Sequence, residues 1–303
     1  MAELPGLVVR ILTERFWSRP DNLEILTTGQ SGSEVFAATL NGSQSRSVVV
    51  KVNHDPKVLA GLERNLLALA HLGLPVPAVL DSDLSLEQYP FAFVVLERIP
   101  GTDLRHELVS MTRAQMNTLA TQIVDVQRRV ATLELGDGFG WRPLGEIGAF
   151  SSWHAIVERD LETGIRRLET LRETNLITQI VDLGRPLGLY FSSVQPTCFL
   201  DDLTTKNVMV QHGELRGLVD FDVVCYGDAL YWLALTRAAV IVDVGPSGQP
   251  YLDMLEQFWG VDDFGRQVLR LYTVIHIMDF ARFETDSEKL ERLLRIIRIQ
   301  ATT

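Results

Sequence analysis

The prevailing apolar pattern passes from strand-like to helical at Pro100–Gly101, and that change limits the possible folds more than any other feature. Upstream, over residues 23–52, short β-prone runs, of which 47–52 is the clearest, are separated by Gly29, Gly32, Gly42 and several serines, as in a small antiparallel sheet. Residues 59–72 interrupt that sheet with Leu59, Leu62, Leu66, Leu69 and Leu72 at helical spacing, which Gly73 and Pro75 terminate. Residues 76–80 and 91–99 return to strand-like composition. Downstream the helical period dominates, first in Met116, Leu119, Ala120, Ile123, Val130 and Leu133 over residues 113–133, then over 153–171, 228–242, 250–259, 262–283 and 287–299. The one expected exception is a hairpin of residues 208–210 and 215–219 around Gln211–His212–Gly213. The expected class is therefore α+β, with a small antiparallel N-lobe carrying one helix, residues 1–99, and a larger, mainly α-helical C-lobe, residues 100–303.

A chain of 303 residues, 46% hydrophobic and 22% charged, can bury a sizeable core, and its length favours division into two parts over one continuous core. Lys plus Arg is 28 against Asp plus Glu at 39, a net charge of −11, which argues against a nucleic-acid backbone as principal partner. Cys198 and Cys225 are the only cysteines and form no CxxC or Cys/His cluster, so neither a disulfide framework nor a zinc site is expected. Glu3, Arg10, Glu14 and Arg15 break up the apolar residues of the N-terminus, unlike a signal peptide. No stretch approaches the roughly 20 apolar residues of a membrane span. These features predict a cytoplasmic protein without a membrane partner. They leave its oligomeric state open.

Phosphoryl transfer needs metal ligands beside phosphates, a cation on the nucleotide and a carboxylate that orients the attacking hydroxyl. The chain offers such residues in order. Asp202-Leu-Thr-Thr-Lys-Asn207 precedes the expected hairpin and Asp220-Phe221-Asp222 follows it, a spacing able to bring Asp202, Asn207 and Asp220 to one mouth. Oxygen ligands suit Mg²⁺. The chain contains no Gly-x-x-x-x-Gly-Lys phosphate loop, Gly-x-Ser-x-Gly elbow or His-Glu-x-x-His, which removes the commonest NTPase, hydrolase and metalloprotease readings. Its six histidines are scattered.

These segments resemble the catalytic and metal-binding loops of the aminoglycoside phosphotransferase and choline kinase-like family. The family's His-Gly-Asp-Leu-His-x-x-Asn stands here as Leu200-Asp201-Asp202-Leu203-Thr204-Thr205-Lys206-Asn207, and its Ile-Asp-Phe as Val219-Asp220-Phe221. The resemblance implies a catalytic carboxylate at Asp202 and Mg²⁺ ligands at Asn207 and Asp220. Gly227–Asp228 is similar to the family's Gly-Asp-Pro at a helix start. Upstream, Val48-Val49-Val50-Lys51, Glu63 and Pro75-Val76-Pro77 follow the family's strand, helix and Pro-Val-Pro order. By that match Lys51 would contact the α/β-phosphates, Glu63 would hold Lys51, Gly29 and Gly32 would form the phosphate-covering turn, and the backbone of Glu97 and Ile99 would receive adenine. The cofactors implied are ATP, with GTP as an alternative, and Mg²⁺.

The chain departs from the family at Leu200 and Thr204, where the loop histidines stand, and at Ala229 and Trp232, where the proline and the following aspartate stand. Asp222 reads as a solvated loop acid rather than a further metal ligand. The expected function is transfer of the ATP γ-phosphoryl group to a hydroxyl of a small molecule, such as an aminoglycoside-like antibiotic, an amino alcohol or a sugar-type metabolite. The acceptor is expected to be neutral or cationic from the net charge and Asp201–Asp202. The alternative is a nucleotide-binding pseudokinase acting as an interaction module. A protein kinase fits less well, because no Ala-Pro-Glu element follows Asp220.

Overall fold

The computed structural model describes residues 4–28, 32–41 and 45–302. Gly29 and Gly42 lie outside them. The chain separates into two compact units, one of Met1–Pro100 with Gly217–Val223, the other of Gly101–Arg216 with Val224–Thr303.

The first unit begins with helix α1 (Leu4–Phe16), followed by strands β1 (Pro20–Thr28), β2 (Glu34–Leu40) and β3 (Arg46–Asn53). Helix α2 (Pro56–His71) and strands β4 (Val79–Asp83) and β5 (Ala92–Glu97) complete it. The strands form a five-stranded sheet in the order β1-β2-β3-β5-β4, antiparallel throughout. Alternation along β3 decides its two faces. Val48, Val50 and Val52 enter a core with Val8, Ile11 and Leu12 of α1 and with Phe36, Phe91, Phe93 and Val95, so the pleat sends Lys51 to the opposite face. The strand expected over 76–80 begins only at Val79, because Pro75 and Pro77 cannot donate ladder hydrogen bonds.

Helix α2 starts where Asp55 accepts from the N–H of Lys57 at 3.0 Å and Pro56 fills the first helical position. Its buried face carries Leu59, Leu62, Leu66 and Leu69, as the spacing predicts, and also Asn65. Glu63 lies on the exposed side.

The second unit opens at Gly101, whose φ of +101° and tight fit are glycine-specific, since a Cβ there would meet the carbonyl oxygen of Val210 at 2.3 Å. Then come β6 (Thr102–Asp103), the single turn α3 (Leu104–Glu107), α4 (Arg113–Val130), β7 (Gly140–Arg142), α5 (Trp153–Thr170), α6 (Thr174–Gly184), α7 (Gly188–Ser193) and β8 (Thr197–Phe199). The predicted hairpin is present as β9 (Val208–Gln211) and β10 (Glu214–Leu218). His212 and Gly213 both have positive φ, 55° and 77°, as a tight hairpin turn requires. Strand β11 (Val224–Gly227) and helices α8 (Leu230–Ala239), α9 (Gln249–Trp259), α10 (Asp263–Arg282) and α11 (Ser287–Thr302) follow. Among the described residues no helix is long and apolar enough to cross a membrane.

Two short sheets frame the loops of interest, β10-β9-β6 and β7-β11-β8. The second was not legible from periodicity, because strands of three or four residues carry too few alternations. Helices α6 and α7 were also missed. The helix expected over 228–242 stops at Ala239, where a π-turn over Val240–Val244 takes over.

Candidate active site

In the first unit the chemistry gathers on Lys51. Its Nζ donates to Asp220 Oδ1 at 2.6 Å and to Asp222 Oδ1 at 2.8 Å. Burial alone would lower the pKa of the ammonium, but the two carboxylates outweigh it and the net direction is upward, so Lys51 stays charged. Asp220 has a φ of 70°, a left-handed conformation that aspartate tolerates better than bulkier residues do. Its side chain remains half exposed, at 51%, against 17% for Asp222.

The same contacts correct two expectations. Lys51 is not held by Glu63: Glu63 Oε2 instead accepts from Ser82 Oγ at 3.3 Å in an exposed position. Asp222 is not a solvated acid, because it faces Lys51 and is largely buried. The residue that α2 directs at this segment is Asn65, whose Nδ2 donates to the carbonyls of Phe221 at 2.9 Å and Asp222 at 3.1 Å. Its place on the apolar stripe, three residues after Leu62 and four before Leu69, was the available signal: an amide inside a leucine face needs a buried partner.

The expected phosphate-covering turn is only partly described. Gly32 is exposed, with φ +73° and open space where a Cβ would stand, and Gly29 lies outside the described residues. Next to Gly32, the buried Ser33 accepts from Asn53 Nδ2 at 2.9 Å. At the end of β5 the N–H groups of Glu97 and Arg98 donate to Ala78 and Ser47. Ile99 then leaves the strand, and its Cγ2 lies 2.9 Å from where a Cβ would sit on Gly217.

In the second unit, Asp202 and Asn207 belong to one loop. Asn207 is buried, and its Nδ2 donates to the main-chain oxygen of Asp202 at 2.8 Å, which directs the amide oxygen Oδ1 away from that contact. Asp202 is exposed and accepts from Thr204 Oγ1 at 3.1 Å. Thr204, at the place of a family histidine, thus contacts the catalytic carboxylate candidate directly.

Leu200 fills its place apolarly, at 2% exposure, and its backbone is clamped from α4. Gln127 Nε2 donates to the Leu200 carbonyl at 2.7 Å, and the Leu200 N–H donates to Gln127 Oε1 at 3.0 Å. Farther along, Trp232 Nε1 and Thr236 Oγ1 donate to the Leu203 carbonyl at 3.0 Å and 3.3 Å. A neutral amide and an indole thereby hold the loop. Sequence reasoning singled out neither Gln127 nor the use of Trp232; both are polar groups embedded in apolar helical faces.

Asp201 accepts from the indole N–H of Trp141. Burial pushes its carboxyl up to about 7, opposed by that indole and reinforced by the neighbouring Asp202. Asp228, as anticipated from Gly227–Asp228, opens a helix: its Oδ1 accepts from the N–H of Leu230 at 3.0 Å, while Oδ2 accepts from Tyr190 and Tyr272 at 2.7 Å and 2.9 Å. On α5, Asp160 is taken up by Tyr231 at 2.7 Å and Arg159 at 2.6 Å, and Glu158 lies 3.5 Å from His154, the arrangement of a salt-bridged face.

The residues suit a nucleotide-bound cation. Among the described residues no group of three or more His, Cys, Asp or Glu side chains is gathered to hold a metal by itself, whereas Mg²⁺ is commonly held by one or two carboxylates together with phosphate oxygens and water. Taken unit by unit, the half-exposed Asp220 carboxylate of the first and the amide oxygen Oδ1 of Asn207 in the second are each a hard oxygen atom of the kind that Mg²⁺ accepts.

Comparisons with known proteins bear on the family and the fold. A model described as the phosphotransferase enzyme family matches residues 22–272. The hygromycin-B 4-O-kinase of Escherichia coli is 20% identical over 234 residues, covering 75% of this chain and 64% of that protein. This chain therefore matches less than two thirds of that relative's length. Among solved structures, the apo form of a thermostable mutant of aminoglycoside phosphotransferase APH(4)-Ia superimposes with a TM-score of 0.68 at 19% identity, over 97% of this chain and 100% of the other. The GDP and kanamycin complex of an APH(2") enzyme gives a TM-score of 0.73 at 12% identity over 98% of both chains. At these identities the structural likenesses establish a shared kinase-like α+β fold.

Proposed function

The chain belongs to the phosphotransferase enzyme family, and from that premise we propose that it transfers the γ-phosphoryl group of ATP, in the presence of Mg²⁺, to a hydroxyl of a small molecule. Residues 1–99 act as the nucleotide-binding lobe and residues 100–303 as the catalytic and acceptor-binding lobe. The observation that carries the reading is the buried Lys51 ammonium held 2.6 Å and 2.8 Å from Asp220 and Asp222, a cation poised for phosphates beside a carboxylate suited to their metal.

Each residue has a role in that reaction. Lys51 neutralises the α/β-phosphates, Asp220 and the Oδ1 of Asn207 hold Mg²⁺, and Asp202 accepts a hydrogen bond from the acceptor hydroxyl and so orients it for in-line attack. Gly32 covers the phosphates, with Gly29 beside it in sequence, and the strand end at Glu97 and Ile99 receives the base. When bound, Mg²⁺ neutralises charge on the phosphate oxygens. No covalent enzyme intermediate is needed.

The substrate class draws on the relatives. A hygromycin-B 4-O-kinase and an aminoglycoside phosphotransferase bound to AMP-PNP and hygromycin B support ATP as donor and an aminoglycoside-like or otherwise hydroxylated, neutral or cationic acceptor. The pseudokinase alternative rested on lost loop residues; the contacts of Gln127, Trp232 and Thr236 with that loop weigh against it. An ADP-release assay over a panel of aminoglycosides, amino alcohols and sugars tests the proposal. At least one acceptor should be turned over, and Asp202→Asn should lower kcat by about 10²–10⁴-fold while leaving ATP binding intact. Absence of transfer to every acceptor, together with absence of slow ATP hydrolysis, would return the chain to the pseudokinase reading.

A further inference from the structure

A kinase-like lysine needs a partner that keeps it in place when the metal-binding aspartate turns to its cation. Lys51 has two carboxylate partners here, and they differ. Asp220 is half exposed and sits at the left-handed φ of 70°. Asp222 is the more buried of the two, with Oδ1 at 2.8 Å from Nζ, and its own main-chain carbonyl accepts from the fully buried Asn65 at 3.1 Å. Asn65 also donates to the Phe221 carbonyl, so one amide of α2 grips the two successive peptides that flank Asp222. Glu63, from the same helix, is turned to Ser82.

We infer that Asp222 is the positioning residue for Lys51, the task the family pattern gives to a helix glutamate, and that Asn65 fixes Asp222 in that task. The inference rests on the proposed role of Lys51 at the nucleotide. Asp222 acts through the lysine: once Asp220 engages a cation, Asp222 remains to hold Nζ against the face of β3. The link between α2 and the metal-binding segment is then a neutral amide clamp to backbone, which salt screens far less than an exposed ion pair.

Two double-variant cycles test this, one read without nucleotide and one with it. In the nucleotide-free protein, the melting-temperature losses of Lys51→Met and Asp222→Asn should be non-additive, because each removes the same contact, whereas those of Lys51→Met and Glu63→Gln should add. In the working enzyme, Asp222→Asn should raise the KM for ATP about ten- to a hundredfold, the loss of one charge-assisted contact, with a smaller change in kcat. In the Lys51→Met background it should raise KM no further. Asp222→Glu should recover part of the loss, and Asn65→Leu should reproduce the Asp222→Asn effect in weaker form. Additive melting losses for Lys51 and Asp222 beside non-additive ones for Lys51 and Glu63 would overturn the inference. A wild-type chain without ATP turnover would refute the kinase reading instead, and the nucleotide-free cycle would still decide the partner of Lys51.

Discussion

Replacing Gln127 with leucine asks how much the amide clamp on the loop leading to Asp202 contributes. Gln127 is fully buried and satisfies both backbone polar groups of Leu200, at 2.7 Å and 3.0 Å. Leucine is similar in size but leaves that N–H and that carbonyl without their partner in a site Leu200 itself makes dry. An unsatisfied buried polar group costs about 1–3 kcal/mol, so the two together cost about 2–6 kcal/mol. The added apolar burial offsets about 1–2 kcal/mol of this. The net loss lies between about 0 and 5 kcal/mol, with its centre at about 2.5 kcal/mol. The assay is urea unfolding followed by tryptophan fluorescence, since Trp141, Trp153, Trp232 and Trp259 all lie in the helical unit. The same substitution should lower kcat at least tenfold, because Leu200 stands two residues before Asp202 and a displacement of about 1 Å can cost about 10²-fold, while the KM for ATP changes little. Gln127→Glu gives the control: a carboxylate facing the Leu200 carbonyl repels it, so that variant should regain stability on acidification as it takes up a proton and can donate again. A stability loss below about 0.5 kcal/mol with unchanged kcat would refute the clamp.

Further expectations concern metal, pH and salt. ATP should bind much more weakly in chelator than with Mg²⁺, and Asp220→Ala should abolish that difference; equal affinities in titration calorimetry would remove Asn207 and Asp220 from the metal. His276 is buried, with Nε2 at 3.1 Å from the Tyr231 carbonyl, and burial pulls its pKa down to about 3. Its folded value lies below the ordinary 6.5, so the unfolded chain binds the extra proton between those values; the stability from the neutral ring is complete above pH 6.5 and is lost as pH falls toward 3. Relative to wild type, His276→Gln should therefore gain stability on acidification from pH 7 to 5, by at most about 1.4 kcal/mol per pH unit; parallel denaturation profiles would contradict this. With a net charge of −11 and the exposed carboxylate of Asp202, the KM for a cationic acceptor should rise with ionic strength while kcat at saturating ATP changes less. An active acceptor that is anionic, or whose KM ignores salt, would count against that electrostatic account.

The sequence by itself determined the elements that repeat a period long enough to be read. The valine run Val48-Val49-Val50 of β3 placed Lys51 on a strand, the leucines of α2 drew a helix, and the turn at His212–Gly213 announced the hairpin between the two acidic segments. The candidate residues followed from those placements, since spacing and resemblance single out Asp202, Asn207 and Asp220. Tertiary structure alone decided partnership. Glu63 and Asn65 lie two residues apart on one helix, and only packing turns the amide toward Phe221 and Asp222 and leaves the acid on Ser82. Asp222 looked like a solvated acid because no local pattern encodes a contact with a lysine 171 residues earlier. The same holds for Gln127 and Trp232, whose polar groups meet the carbonyls of Leu200 and Leu203 across separate elements. Local sequence fixes which face of an element is apolar, because that depends on its own period. Which buried polar group satisfies which backbone depends on distances between elements, and those arise only when the chain is folded.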